Sequence, residues 1–404
     1  MSETPFQHRF ATRACAVCGG TATKHLFRQM FSAMSDSSLL QGYDVVVCQA
    51  CGFGFADYIP EQADLDLYYR NMSKYENPSR GGQESPYDLA RFQAIAAIIT
   101  RHVTDWRTRI LEIGCATGRL LALLKERGYP NVAGIDPSPT CAAIARNLYG
   151  IQVLPQTLSN AVVASQSIDF IILIGVLEHV RDLDTALRRI WTMLSEGGQI
   201  IASVPDASRY AEGEDAPYQE FSLEHINFFG PTSLTNLLSA NGFSLVSCEQ
   251  SLVQSNYRTT TPVIHAVYQK RPLAESKLAQ RDTQTEAGLL AYICQSRESD
   301  QRIQQKIAGV VERGIPIIVW GVGTHTQRLL ATSRLAHANI RAFVDSNLNY
   351  QGKQLNGIQI LAPADLCDRS EPILVSSRVF QSEIVRQIRD ELKLENKVLT
   401  LYEE

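Results

Sequence analysis

No apolar run in the sequence approaches the roughly 18 to 20 residues that a helical membrane span needs, so a helical membrane span is excluded and no membrane partner is expected. The opening residues, MSETPFQHRFATRAC, lack both the apolar core and the small-residue cleavage site of a signal peptide. The chain is therefore expected in the cytoplasm, where structural disulfides are rare. An excess of positive charge is missing too. With a formal net charge of −4, there is no chain-wide basic field to release counterions, which argues against nucleic acid as the main partner. What remains is an ordinary globular composition, 45% hydrophobic and 20% charged, spread over 404 residues. That length exceeds what one hydrophobic core holds, so two or three domains are expected.

Of the 9 cysteines, four stand as Cys15-x-x-Cys18 and Cys48-x-x-Cys51, each pair followed by a glycine, with residues 19–47 between them. Two such knuckles supply four thiolates to one tetrahedral Zn(II), and Gly19 and Gly52 suit the tight turns that aim backbone amides at the sulfurs. Four protein ligands leave no open coordination position, so the ion's role is structural. The other five, Cys115, Cys141, Cys248, Cys294 and Cys367, are expected to be core residues.

From Arg109 to Pro139 the sequence reads RILEIGCATGRLLALLKERGYPNVAGIDPSP. An apolar strand pattern leads into a glycine-rich turn, then into apolar residues at helical spacing until Gly128, then into a second strand ending at Asp136. This is a βαβ unit of nucleotide-binding type. Gly114 and Gly118 let a ligand approach the backbone, and Asp136 is placed to accept hydrogen bonds from ribose hydroxyls.

These residues resemble the class I S-adenosylmethionine methyltransferases, whose first motif has the form E-I-G-x-x-x-G and whose second strand ends in an acid. SIDFIILIGVLEHVRDL (167–183) and LRRIWTMLSEGGQIIASVPD (187–206) extend the resemblance in the expected order. It implies S-adenosyl-L-methionine as cofactor. Glu112, Gly114 and Gly118 then line the methionine end, Asp136 holds the ribose, Leu177 borders the methyl-transfer mouth, and Cys115 faces the cofactor through its backbone.

After a polar, helix-favouring stretch, IPIIVWGVGTHTQRLLATSRLAHANIRAFVDSN (315–347) repeats the strand, glycine turn, helix and strand series, with Gly321 and Gly323 at the turn. His325 and Thr326 stand where a dinucleotide turn needs small residues, which argues against a redox cofactor here. This second unit either holds the nucleotide of a nucleotide-linked substrate or serves as scaffold. The expected organisation is α/β: a zinc module (1–70), a class I methyltransferase Rossmann-like core (71–268), a helical connector (269–310) and a C-terminal second Rossmann-like domain (311–404).

That order resembles the nucleotide-sugar C-methyltransferases of deoxysugar biosynthesis. The resemblance implies a small-molecule substrate, a nucleotide-linked 4-keto sugar methylated at carbon through an enolate. It also implies a catalytic tyrosine, matched here by Tyr75 with Tyr68 and Tyr69 as alternatives, the histidine His179 after the fourth strand, and the pair Glu224 and His225. A histidine titrates near 6.5 when unperturbed and suits proton abstraction at neutral pH, with Glu224 to orient it. Tyr75 and neutral His179 are candidate donors to the enolate oxygen. The residues by themselves leave open O- or N-methylation of a small metabolite, a core role for the Glu-His pair, and a non-catalytic binding protein.

Overall fold

After Asp169 the segment IDFIILI is continuously apolar, the pattern of a parallel strand covered on both faces, and it forms strand β7 (Ile168–Ile174). In the computed structural model, which describes residues 12–34, 40–71, 85–272 and 280–403, β7 lies between β4 (Ile110–Ile113) and β8 (Leu194–Pro205), parallel to both. The seven-stranded sheet continues on one side through β5 (Val132–Ile135) and β6 (Val153–Leu154). On the other side lie β11 (Thr259–Lys270), antiparallel to β8, and the edge strand β10 (Phe243–Asn256). Chain order reverses between β4 and β7, so a ligand crevice belongs outside the carboxyl ends of these two strands.

Helices α2 (Pro86–His102), α3 (Arg119–Glu126), α4 (Pro139–Tyr149), α5 (Leu183–Met193) and α6 (Pro231–Ala240) cover the sheet, and separate apolar clusters fill its two faces. Local sequence explains their starts. Ser138 accepts a hydrogen bond from the Cys141 amide, with Pro139 in the first turn of α4, and Asp182 accepts one from the Thr185 amide at the start of α5.

The N-terminal sheet runs β1 (Thr23–Met30), β2 (Gly42–Cys48), β3 (Gly54–Asp57), followed by helix α1 (Gln62–Asn71). Its fourth strand comes from far along the chain: β9 (Asn227–Phe228) pairs antiparallel with β3, Gly54 opposite Phe228 and Phe55 opposite Asn227. The segment FSLEHINFF is thereby bolted to the cysteine-bearing module.

The connector is one long helix, α7 (Gln284–Glu312), capped by the Asp282 carboxylate, which accepts from the Gln284 and Thr285 amides at 3.0 Å each. It is more than a spacer. Leu289, Tyr292 and Ile293 pack into the N-terminal sheet's core, while Ile303 and Ile307 enter the core of the last sheet. Its start presses on the second cysteine knuckle. The Asp282 amide donates to the Cys51 carbonyl at 2.7 Å, and a Cβ on Gly52 would fall 1.9 Å from the Asp282 carbonyl oxygen.

The last sheet is built from β12 (Ile317–Trp320), β13 (Ile340–Val344), β14 (Gln354–Leu355), β15 (Ile358–Leu361), β16 (Ile373–Val375) and β17 (Val398–Thr400), ordered β14-β15-β13-β12-β16-β17 and parallel except for β14. Helix α8 (Thr324–Thr332) follows its glycine turn and α9 (Gln381–Arg386) follows β16. The two glycine turns are built alike. Asp345 accepts from the Val322 amide at 3.0 Å, as Asp136 accepts from the Ala116 amide at 2.8 Å. His325 is buried, and its Nε2 lies 2.8 Å from the Tyr402 hydroxyl.

The cysteine expectation needs correction. Cys115 and Cys141 are buried, but Cys248, Cys294 and Cys367 are exposed. Cys248 lies on the exposed edge strand β10, and Cys294 on the outer face of α7, where its neighbours Tyr292 and Ile293 point inward. Among the described residues no helix is long and apolar enough to cross a membrane.

Candidate active site

At the carboxyl end of β4 the chain turns through Gly114 (φ 75) and Gly118 (φ 76), left-handed positions that favour glycine. Gly114 has a second reason to lack a side chain: a Cβ there would approach Val176 Cγ2 to 2.8 Å. Asp136, buried at the end of β5, accepts from the Ala116 amide through Oδ2 and from the Ser138 amide at 3.0 Å through Oδ1. The acid therefore shapes the turn as well as facing the crevice. Gly114 and Asp136 line one cavity, together with Gln156, Thr157, Val176 and His179.

The other residues expected at the cofactor stand behind that wall. Glu112 is buried, and burial, then the charge of Asp136, push its carboxyl well above the ordinary range. The Cys115 side chain lies under β5, where a Cβ on Gly134 would come 2.4 Å from its sulfur, and burial raises its thiol well above the usual value. Gly118 starts α3. Leu177 is fully buried in the core rather than at the mouth, because the short helical turn Leu177–His179 points it inward. Val176 and Val180 line the cavity in its place.

One wall comes from the cysteine-bearing module. Gln62, Asp66 and Tyr69, spaced so that α1 presents them on one face, all line the cavity. Gln62 Oε1 accepts from the Arg181 and Asp182 amides at 2.8 and 3.1 Å. Asp66 accepts from the Ser159 hydroxyl, and from the Thr157 hydroxyl at 3.4 Å. No motif announced Gln62 or Asp66, and their one-face spacing was the available signal.

At the far end the turn after β7 is strapped to the segment around β9. The Asn227 side-chain amide donates to the carbonyls of Leu177 and Val180 at 2.8 and 2.7 Å, and the Ile226 amide donates to the Glu178 carbonyl at 2.8 Å. This brings His179 and His225 edge to face, ring centroids 5.0 Å apart. His179 Nδ1 lies 2.9 Å from the Glu224 carbonyl oxygen and 2.9 Å from the Tyr69 hydroxyl. A carbonyl oxygen only accepts, so Nδ1 carries the hydrogen, and Tyr69 keeps its own hydroxyl hydrogen to donate elsewhere.

Tyr68 donates to Glu224 Oε1 at 3.3 Å, and burial, then the charge of Glu224, raise its hydroxyl well above the ordinary value. Tyr75 lies outside the described residues. A second carboxylate, which the sequence reading missed, also stands near His225: Glu220 Oε2 is 3.6 Å from its Nδ1. Glu224 lines the cavity, whereas His225 lies outside its wall with 21% of its side chain exposed.

The four N-terminal cysteines converge. Their sulfurs all lie within 4.8 Å of one another, with Cys15 to Cys51 and Cys18 to Cys48 at 3.5 Å. Tetrahedral thiolates around zinc, with bonds near 2.3 Å, stand roughly 3.8 Å apart. The donor set and its spacing fit that ion.

Comparison with known proteins places this architecture. A family model described as "Methyltransferase domain" matches residues 87–248, and one described as "C2185-like, N-terminal" matches residues 315–399. The chain is similar to the C-methyltransferase NovU of Streptomyces niveus, 24% identical over 326 residues that cover 78% of this chain and 75% of that protein. It is also similar to a ubiquinone biosynthesis O-methyltransferase of a Methylobacterium, 31% identical over 99 residues, 23% of this chain and 39% of that one. Among solved structures, the 1,6-didemethyltoxoflavin-N1-methyltransferase of Burkholderia thailandensis aligns with 55% of this chain and 96% of its own, at 20% identity and a TM-score of 0.42.

Proposed function

We propose that this chain, an S-adenosylmethionine-dependent methyltransferase, methylates carbon, and that its acceptor is a nucleotide-linked 4-keto deoxysugar activated as an enolate. The observation that carries this reading is the contact series from the Tyr69 hydroxyl through His179 to His225 beside the cofactor cavity. The similarity to a C-methyltransferase over 78% of the chain supports it, and the resemblance to sugar C-methyltransferases supplies the acceptor class.

A sugar carbon becomes nucleophilic only after it loses a proton made acidic by a neighbouring carbonyl. In this reading His225 takes that proton, and the electron pair moves onto the carbonyl oxygen. Tyr69, with its hydrogen uncommitted to His179, donates to that oxygen, which stabilises charge only as it develops. When bound, the donor would supply an electrophilic methyl group to the enolate carbon, the carbon–sulfur bond of the sulfonium breaking to leave the thioether S-adenosylhomocysteine. Asp136 would hold the donor's ribose, and the turn through Gly114 and Gly118 would line its methionine end. Cys15, Cys18, Cys48 and Cys51 hold one structural zinc ion, which cross-links the two knuckles against the start of α7.

The test is to incubate the enzyme with candidate 4-keto nucleotide sugars in deuterated water, with S-adenosylhomocysteine at the donor site. Exchange at the carbon next to the carbonyl, with mass gain by one methylene when the methyl donor is supplied, is expected. Methylation confined to hydroxyl or amine acceptors, without such exchange, would overturn the reading.

A further inference from the structure

We propose that Glu220 is the charge partner of His225 at Nδ1, a positioning residue for proton abstraction; its catalytic consequence rests on the C-methylation reading. The contact is made by local chain geometry. Tyr218 adopts φ 59 and the Phe221 amide closes a turn onto the Tyr218 carbonyl. Ser222 Oγ then accepts from both the Glu224 and His225 amides, at 3.2 and 3.1 Å. The backbone folds back, and Glu220 Oε2 comes 3.6 Å from His225 Nδ1.

Glu220 is buried, with 7% exposure, and its position is fixed from another element. Its amide donates to the Tyr292 hydroxyl of α7 at 3.0 Å. Around the carboxylate stand Tyr43, Tyr210 and Tyr292, whose hydroxyls are raised well above the ordinary value by burial first, with Glu220's charge contributing. Asp215 senses the same charge. From the turn after β7, Glu178 and His179 present ligand-type atoms within 4.8 Å of those of His225. Glu178 is itself buried, with 3% exposure. The groups facing His225 and its partner are thus carboxylates, a histidine and tyrosines.

Two consequences follow for the imidazole. At 3.6 Å the pair is longer than a hydrogen bond, so Glu220 acts through its charge, which favours the neutral tautomer with its hydrogen on Nδ1 and leaves the Nε2 lone pair to take a proton. Once the proton arrives, buried negative charge beside the ring favours the imidazolium. Glu224 accepts from the Tyr68 hydroxyl and lines the cavity.

The contact can be tested without knowing the acceptor. The full-length protein is labelled with nitrogen-15 histidine and titrated by NMR with S-adenosylhomocysteine present, the His225 signal being identified by its loss in His225→Gln. In Glu220→Gln the His225 midpoint is expected to fall by about one pH unit or more, while Glu220→Asp, which keeps the charge, stays closer to the parent. The acidic limb of kcat/KM for methylation should move down by the same amount, with circular dichroism and S-adenosylhomocysteine affinity unchanged. A midpoint that does not move in Glu220→Gln overturns the pairing, whatever His225 does in catalysis. A midpoint that moves while His225→Gln methylates at the parental rate keeps the pairing and strikes down the base assignment instead. Activity lost to a chelator and restored by Mg(II) or Mn(II) but not by Zn(II) would also overturn the proposal, by giving the Glu178, His179 and His225 cluster to a cation.

Discussion

The Tyr69 hydroxyl of α1 lies 2.9 Å from His179 Nδ1 in the turn after β7. A side chain of the cysteine-bearing module thus touches a histidine of the methyltransferase core inside the cavity wall, and the two parts of the chain share one site.

Tyr69→Phe is therefore expected to lower kcat by about 10²-fold or more, the usual effect of removing a donor to a developing oxyanion. Affinity for S-adenosylhomocysteine should change little, as read by isothermal titration. Tyr68→Phe, which loses a 3.3 Å bond to Glu224, is expected to do less. If Tyr75→Phe proves more damaging than Tyr69→Phe in steady-state kinetics, the donor role passes to Tyr75.

Asp136→Ala should weaken S-adenosylmethionine binding by roughly tenfold or more, since charge-assisted hydrogen bonds contribute about 1.5 to 3 kcal/mol. The carboxylate also holds the Ala116 and Ser138 amides, so the free turn should loosen as well. Equal dissociation constants for variant and parent would move the ribose contact to another residue.

Metal analysis should find one zinc per chain. Cys48→Ser combined with Cys51→Ser should abolish it and lower thermal stability, because the two thiolates that would join the knuckles through the ion are lost. Unchanged zinc in the double variant would remove these two cysteines from the ligand set.

Asp215 gives a pH-dependent prediction. Burial pushes its carboxyl up to about 7, above the unfolded value near 3.8. A raised folded value means that its favourable contribution is complete below about 3.8 and is lost as pH rises through about 7. Asp215→Asn should therefore unfold at a higher temperature than the parent at pH 8, by a few degrees, with the gap closing toward pH 4. A melting-temperature difference independent of pH would show that this carboxyl ionises without cost.

The glycine turn, Asp136 and the four cysteines were legible because each is a local pattern: spacing within a few residues states the geometry. The helical connector was legible in kind, although its start at Gln284 depends on the Asp282 cap and its end lies at Glu312. The resemblance favoured Tyr75, with Tyr68 and Tyr69 as alternatives; the crossing of α1 brings Tyr69 to His179, while Tyr75 lies outside the described residues. The resemblance implied Leu177 at the mouth, but the short helical turn Leu177–His179 directs it into the core. Glu220 went unnoticed because Glu224 adjoins His225 in sequence, and only the fold-back at Ser222 shows which carboxylate approaches Nδ1.

The pairing of β3 with β9 has a consequence for the order in which this protein is made. During synthesis the cysteine knuckles and three strands emerge first, leaving β3 with an open hydrogen-bonding edge of the kind that recruits other chains. That edge is closed only when Asn227 and Phe228 leave the ribosome, after the central strands of the methyltransferase sheet. The residues that close it follow directly on Glu224 and His225. Protection against misassembly and the arrival of the Glu224 and His225 segment are one folding event, and a fragment ending near residue 70 would be left with its sheet unfinished.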